Sequence, residues 1–369
     1  MKKIKVLLVS PVIPNIGGIS NWANKVIKYN QEHNLIDLNI LDTSLRGRDS
    51  TDERMWKRIV YGAVQAITDF FKFAVISLKI KPELVHLCTS GSFAFYKDYL
   101  ICSFCNLIGV KSIVHIRFGR ISEIKKSNNW EWKIAQKVFR KSDCVMTIDN
   151  TTCDSLSNIK YIKKLINIPN PIDEINLPKA EMNNNKFNIV FVGWVVKTKG
   201  IYELLEAFLK LERKDVMLHI LGKINDDMKR YICDFTKNNN VENSIMIHGY
   251  LPYLEVLNIV NKSDIFVLPS YTEGFPNSVL EAMMLGKTII STKVGAIPDM
   301  LDINTDTPCG ICIEPKNEKE LFEAINRLMN EPMLMSEMAK NAKRKALSQY
   351  NISNVMIQYV DCYKSVLGN

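Results

Sequence analysis

Short apolar runs and longer amphipathic stretches alternate along almost the whole chain. Runs at 4–10, 84–87, 112–115, 144–148 and 165–168 are rich in Val, Ile and Leu and bounded by polar or turn residues, the pattern of strands. Helical periodicity fills the intervals, beginning at Ser20 to about Tyr29. Strands apolar on both sides, separated by helices, predict parallel sheets covered on both faces. The pattern breaks at Pro169, Pro171 and Pro178 and at the polar stretch 182–186, which reads as a linker. It restarts with strands at 188–192, 217–221, 245–248 and 265–268 and helices at 201–211, 226–237 and 253–260, and closes with helical patterns at 332–347 and 353–367. One local echo joins the halves: Lys141-Ser-Asp and Lys262-Ser-Asp each lead into a strand.

This organisation predicts an α/β chain of two doubly wound domains, residues 1–180 and 181–350, followed by a final helix in 351–369. In such sheets ligands bind at loops that leave strand carboxyl ends and enter helix N-termini, here in the cleft between two domains. Charge separates the halves. Residues 1–180 carry 27 Lys and Arg against 16 Asp and Glu, whereas residues 181–369 carry 21 against 23. The basic half is expected to meet something anionic.

Composition narrows the classes further. The chain is 369 residues, 47% hydrophobic and 24% charged, which excludes disordered, collagenous and disulfide-scaffold proteins. No signal peptide and no uncharged window long enough to span a bilayer are read, so a cytoplasmic location is expected. Nine cysteines without framework spacing agree with a reducing compartment. Cys102/Cys105 and Cys309/Cys312 have C-x-x-C spacing, but their apolar neighbours favour buried thiols over a zinc site.

Two strand-to-helix loops carry candidate chemistry. The first is Pro11-Val-Ile-Pro-Asn-Ile-Gly-Gly-Ile-Ser20. Gly17 and Gly18 would let an anion approach the backbone at a helix start. The loop is not G-x-G-x-x-G, and no acidic residue is seen to follow a second strand, which argues against a nicotinamide cofactor. The second is Pro269-Ser-Tyr-Thr-Glu-Gly-Phe-Pro-Asn-Ser-Val-Leu-Glu281. Two carboxylates, Glu273 and Glu281, stand near one helix start, where they could accept bonds from sugar hydroxyls while backbone N–H groups face a phosphate. Glu281 also reads as the last member of a capping box opened by Ser278.

The stretch from Ser270 to Met283 resembles the E-x7-E motif of retaining glycosyltransferases of family 4, which have the GT-B fold: two facing Rossmann-like domains with an interdomain cleft. The likeness extends over nearly the whole chain, through the Gly-Gly loop, Ile168-Pro-Asn-Pro-Ile-Asp173, Phe191-Val-Gly-Trp with Lys199-Gly200, Ser263-Asp264 with Pro269-Ser270, and Val294-Gly-Ala-Ile-Pro298. It implies that Glu281 binds the ribose of a nucleotide sugar. Glu273, with Gly274, Phe275, Pro276, Asn277 and Ser278, would contact the donor sugar. Gly17, Gly18 and Lys199 would face the diphosphate, and Tyr250 would lie beside the base. The final helix would cross back to the first domain. His115, at a strand end in the first domain, would position a sugar hydroxyl and is, with Glu273, the catalytic candidate. Arg117 and Arg120 are acceptor or phosphate candidates. In one place the chain departs from the family: Trp194 stands where an arginine usually follows the glycine, and Lys197 is the candidate substitute.

No D-x-D pair occurs, so neither a metal nor another cofactor is expected beyond the nucleotide-sugar co-substrate. The resemblance implies a nucleoside-diphosphate donor, UDP foremost, and a saccharide or lipid-linked acceptor in surface polysaccharide assembly. A sugar-nucleotide epimerase and a non-catalytic sugar-nucleotide-binding protein are the competing expectations. Nucleic acid is not an expected partner. The segment 54–81 interleaves six Lys and Arg with Trp56, Tyr61, Phe70, Phe71 and Phe73. It reads either as a helix packed on the first domain or as one lying on an anionic membrane.

Overall fold

The computed structural model describes residues 3–12, 17–44, 55–175, 177 and 185–368, with the backbone alone for 55–60. Most of the anticipated linker therefore lies outside the described residues, as do Arg54 and the side chains of Trp56, Lys57 and Arg58. The chain divides into two compact units, Met1–Pro171 with Ile352–Asn369, and Ile172–Asn351.

Unit 1 contains β1 (Lys5–Ser10), α1 (Gly18–His33), β2 (Asp37–Asp42), α2 (Met55–Ile80), β3 (Leu84–Thr89), α3 (Ala94–Leu107), β4 (Lys111–Ile116), α4 (Ile121–Ser127), α5 (Trp130–Lys141), β5 (Cys144–Thr147), α6 (Asn150–Ser157) and β6 (Leu165–Asn167). Unit 2 contains β7 (Phe187–Val192), a 3₁₀ turn at Lys197–Lys199, α7 (Ile201–Leu209), β8 (Val216–Leu221), α8 (Asp226–Asn238), β9 (Ile245–Gly249), α9 (Tyr253–Lys262), β10 (Ile265–Leu268), α10 (Asn277–Met284), β11 (Thr288–Thr292), α11 (Ile297–Met300), β12 (Gly310–Ile313), α12 (Glu318–Asn330) and α13 (Pro332–Lys345). The last helix, α14 (Ile352–Leu367), belongs to unit 1.

Each unit holds a six-stranded, wholly parallel sheet, in the order β2-β1-β3-β4-β5-β6 and β12-β11-β10-β7-β8-β9. This is the doubly wound architecture that the continuous apolar strands predict. In unit 1 one face of the sheet packs Phe73, Phe95, Ile101 and Trp132 from α2, α3 and α5. The other packs Trp22 and Val26 from α1 with Val355, Met356 and Tyr359 from α14. Strand β2 corrects the sequence reading. An acidic residue, Asp42, does end a second strand, but its Oδ1 accepts from the backbone N–H groups of Val12 and Ser44.

The Lys-Ser-Asp echo has one physical meaning in both units. Ser142 and Ser263 are the C-caps of α5 and α9, and their hydroxyls bond back to Phe139 and Ile259 carbonyls. The next residue then stitches the chain to a neighbouring strand. Asp143 accepts from Ser112 N–H at 3.0 Å and Asp264 from Asn188 N–H at 2.7 Å. Each aspartate N–H in turn donates to the same residue's carbonyl.

Candidate functional site

The loop after β10 is built around Glu273. Its Oε1 accepts from Ser270 Oγ at 2.7 Å and pairs with Lys199 Nζ at 2.5 Å. Lys199 arrives from the 3₁₀ turn that follows β7, so two strand ends meet in one ion pair. Backbone packing makes that meeting possible. Tyr271 N–H donates to Thr198 carbonyl, and Tyr271 hydroxyl donates to Glu203. Gly200 has φ +73°, and a Cβ there would lie 2.0 Å from Pro269 carbonyl oxygen. Gly295, φ +55°, is equally constrained, since its Cβ would lie 2.3 Å from Glu273 carbonyl oxygen. Ala296 N–H donates to Gly274 carbonyl beside it. The two glycines clamp the loop from opposite ends.

Helix α10 begins at Asn277 behind the N-cap Pro276, with no side-chain cap. Ser278 is therefore inside the helix and not its cap, and the expected capping box with Glu281 does not form. Glu281 instead faces the hydroxyl of Tyr253, the first residue of α9. Local desolvation of a side chain that is 51% exposed overall, and then the carboxylate beside it, push Tyr253 ionisation up, so the hydroxyl stays protonated and donates. Gly274, Asn277 and Ser278 are half-buried, Phe275 is buried against Tyr350, and the first-turn N–H groups of α10 point back toward this loop. Lys197 and Tyr250 are exposed, and Trp194 is 50% exposed beside the same strand end.

Unit 1 offers two features. Helix α1 starts at Gly18, and a Cβ there would meet no atom of the described residues within 4 Å. Gly17 is extended at φ 173°. Among the described residues only Ser20 Oγ, 3.8 Å from a Cβ at Gly17, comes near either position, so neither glycine is required by packing there.

The second feature corrects the expectation for His115. It stands near the end of β4 but is fully buried, and both ring nitrogens are engaged. Arg117 Nη1 lies 3.3 Å from His115 Nε2, His115 Nδ1 lies 2.9 Å from His86 Nε2, and His86 Nδ1 lies 2.7 Å from Tyr363 hydroxyl. A guanidinium can only donate, which assigns the remaining protons: His115 donates from Nδ1 to His86, and His86 from Nδ1 to Tyr363. Burial first, and Arg117 second, lower both histidines, His86 to about 3, so both rings are neutral. Arg117 itself stacks at 4.4 Å over Trp22 of α1, leaves Nε without a partner, and has no carboxylate partner among the described residues. Half-buried without an acid, it favours an anion or a polar hydroxyl. Arg120 differs: it pairs with Glu131 through both terminal nitrogens, at 2.8 and 2.6 Å, and with Ser92 Oγ. Glu131 stays below the usual carboxylate range despite its burial because of these bonds. Arg120 therefore ties the loop before α3 to α5 and presents little free charge.

His86, Cys88 and His115 bring one ligand atom each within 4.8 Å of one another. They do not suit a cation: the rings are committed to one another and to Tyr363, the Arg117 charge is adjacent, and burial raises the Cys88 thiol to about 11. All nine cysteines are free, and the two C-x-x-C pairs fall in different units.

Residues to which the sequence assigned no role complete both features. Ser270, Tyr253 and Gly295 hold the acidic loop; His86, Trp22 and the α14 tyrosines Tyr359 and Tyr363 hold the buried chain, Trp22 donating to Tyr359 at 3.1 Å. The contacts of Trp22 and His86 with Tyr359 and Tyr363 join residues 337 and 277 positions apart and leave no local signal.

Comparison with known proteins bears on the fold and on the sequence of unit 2. Residues 173–345, nearly all of unit 2, match the family model of glycosyl transferases group 1. The N,N'-diacetylbacillosaminyl-diphospho-undecaprenol alpha-1,3-N-acetylgalactosaminyltransferase of Campylobacter jejuni is 35% identical over 181 residues, 49% of this chain and 45% of that protein. Among solved structures, sucrose-phosphate synthase from Thermosynechococcus elongatus superposes with TM-score 0.79 at 15% identity, covering 99% of this chain and all of that one. Anabaena Alr3699/HepE in complex with UDP gives TM-score 0.73 at 13% identity, covering 98% and 100%. The fold is GT-B, and residues 173–345 are similar in sequence to the group 1 glycosyl transferases.

Proposed function

We propose that the chain is a retaining, metal-independent glycosyltransferase that moves a sugar from a UDP-type donor to a saccharide or lipid-linked saccharide acceptor in surface polysaccharide assembly. The observation that carries this reading is the Lys199–Glu273–Ser270 cluster at the start of α10, with Glu281 on the same helix. Its groups suit the parts of a nucleotide sugar. Glu281, held by Tyr253, would accept from the two ribose hydroxyls. The Glu273 carboxylate and the backbone of Gly274–Asn277 would bind the sugar. Lys199 and the α10 N-terminus would stabilise the charge that grows on the departing diphosphate, the stage at which fixed positive charge lowers the barrier.

Unit 1 carries further candidate groups of its own. The open backbone at Gly17 and Gly18 suits an approach to the diphosphate. Arg117, fixed by His115 and stacked on Trp22, would contact acceptor or phosphate, with His115 positioning it. The UDP-bound neighbour supports the donor, and the diphospho-undecaprenol in the printed name of the Campylobacter jejuni relative supports a lipid-linked acceptor. The basic first half supports work at the inner face of a membrane, where a lipid-linked acceptor would be presented.

The test is a panel of nucleotide sugars with product analysis. Transfer or slow hydrolysis with retained anomeric configuration, lost in Glu281→Ala, is expected. Release of a free epimerised nucleotide sugar, or tight donor binding with no turnover on any acceptor, would overturn it.

A further inference from the structure

One face of unit 1 carries an apolar surface that the described residues leave uncovered. Helix α2 buries one side. Asp69, Phe73 and Ser77 are inside, and Phe70 and Phe73 meet Phe104 of α3 edge-on, with ring centroids 6.1 and 6.0 Å apart. On the opposite side Tyr61, Val64, Ile67, Phe71, Val75 and Leu78 are exposed, Phe71 by 64% and Val75 by 66%. Their spacings of three and four residues align them in one stripe about five turns long. Helix α3 repeats the arrangement: Tyr96, Leu100 and Leu107 are exposed, and Phe93 and Tyr96 stack on exposed Trp130 with centroids 5.0 and 6.1 Å away. The Phe70–Phe104 contact joins the helices, so the two stripes lie side by side. Amphipathic helices of soluble domains place polar residues on such a face, and a contiguous apolar patch of this kind marks an interaction site.

Charge indicates the occupant. Among the described residues neither helix exposes an acid, since Asp69 and Asp98 are both buried. Lys72 and Lys79 are exposed along one margin of the α2 stripe. No helix of the described residues is long and apolar enough to cross a membrane. Apolar and aromatic groups projecting outward, a lysine margin and no exposed acid fit a surface that offers hydrocarbon beneath anionic headgroups. We propose that the α2–α3 face docks unit 1 on a bilayer containing anionic lipid, lying on the membrane rather than spanning it. The inference rests on the proposed glycosyltransfer only for the choice of leaflet, where it would hold the chain beside a lipid-linked acceptor.

The experiment is flotation of the full chain with vesicles of phosphatidylglycerol and phosphatidylcholine, against phosphatidylcholine alone, at low and high salt. Binding to the anionic vesicles, weakened by salt, is expected. The double variant Phe71→Asp/Val75→Asp should lose affinity about tenfold or more, since each such side chain buried in hydrocarbon is worth roughly that factor. Lys72→Glu/Lys79→Glu should remove the preference for anionic lipid while keeping weak binding. Both variants should melt like the parent and keep its vesicle-free donor hydrolysis. Absence of flotation, equal binding to neutral vesicles, or a solution dimer that Phe71→Asp/Val75→Asp dissolves would overturn the docking. A parent chain that floats but turns over no nucleotide sugar would leave the docking standing and remove the glycosyltransferase reading.

Discussion

Gly200 tests the construction of the acidic loop most directly. Replacing it with Ala introduces two costs. At φ +73° an L-residue sits in the left-handed region, a penalty of about 1 kcal/mol. The new Cβ also falls 2.0 Å from Pro269 carbonyl oxygen, with the carbonyl carbon at 2.8 Å and the ring at 2.9 Å. No flexible side-chain end is available to yield, so backbone must move, an overpacking cost of roughly 1–3 kcal/mol. The sum, about 2–4 kcal/mol, corresponds to a fall in melting temperature of roughly 5–15 °C for a unit of this size. Displacing Pro269 also displaces Ser270 and Glu273, so donor affinity should fall together with stability. Gly200→Asn separates the two costs, because Asn tolerates positive φ but carries the same Cβ. Differential scanning fluorimetry with and without UDP reads both effects. If Gly200→Asn melts and binds like the parent, the close approach to Pro269 does not exist and the account of the loop is wrong.

Glu281→Ala should weaken UDP-sugar binding by about a hundredfold or more, the worth of two hydrogen bonds to a charged acceptor, with little change in melting. Tyr253→Phe, which removes only the hydroxyl facing Glu281, should raise KM a few-fold in the same steady-state assay. Acid should destabilise unit 1. His86 and His115 are neutral inside, with His86 lowered to about 3. The unfolded chain therefore binds more protons below about pH 6.5, and stability falls as pH drops from there, by up to about 1.4 kcal/mol per pH unit for each ring. Melting curves from pH 7 to 5 should show this slope, flattened in His86→Gln; an unchanged slope in that variant would show that the buried pair is not its source. Glu131→Ala removes both bonds to Arg120 and the acceptor of Ser92 N–H. About 1–3 kcal/mol should be lost in urea titration, discounted because Arg120 is partly solvated.

The alternation of strands and helices was legible because parallel strands buried on both faces are apolar throughout, as Leu84–Thr89 and Cys144–Thr147 show. Strand β2 was not legible. As the edge strand Asp-Leu-Asn-Ile-Leu-Asp it is half exposed and lacks a continuous apolar run. The acidic loop could be placed from its turn residues and carboxylates, yet its partners could not. Lys199 and Glu273 are 74 positions apart, and their meeting depends on Gly200 passing beneath Pro269. His115 was read as presented at a strand end because its neighbour Arg117 gave no hint of which would face outward. The alternation of side chains along β4 and the bulk of Trp22 and Tyr359 turn the histidine inward. Ser278 and Glu281 have the spacing of a capping box, but Pro276 starts the helix before Ser278 can cap it.

The discontinuity of unit 1 governs the order in which it can be completed during synthesis. Strand β1 and helix α1 leave the ribosome before unit 2, yet one face of their sheet is closed by α14, translated only after all of unit 2. Until then Trp22 lacks the Tyr359 hydroxyl and His86 lacks that of Tyr363. The nascent first unit must persist with an open apolar face and an unfinished polar chain while some 180 further residues are made, tens of seconds or less at typical elongation rates. Chaperone contacts are expected to concentrate on that interval, and a stop codon placed before Ile352 should yield a soluble unit 2 attached to a first unit that never closes.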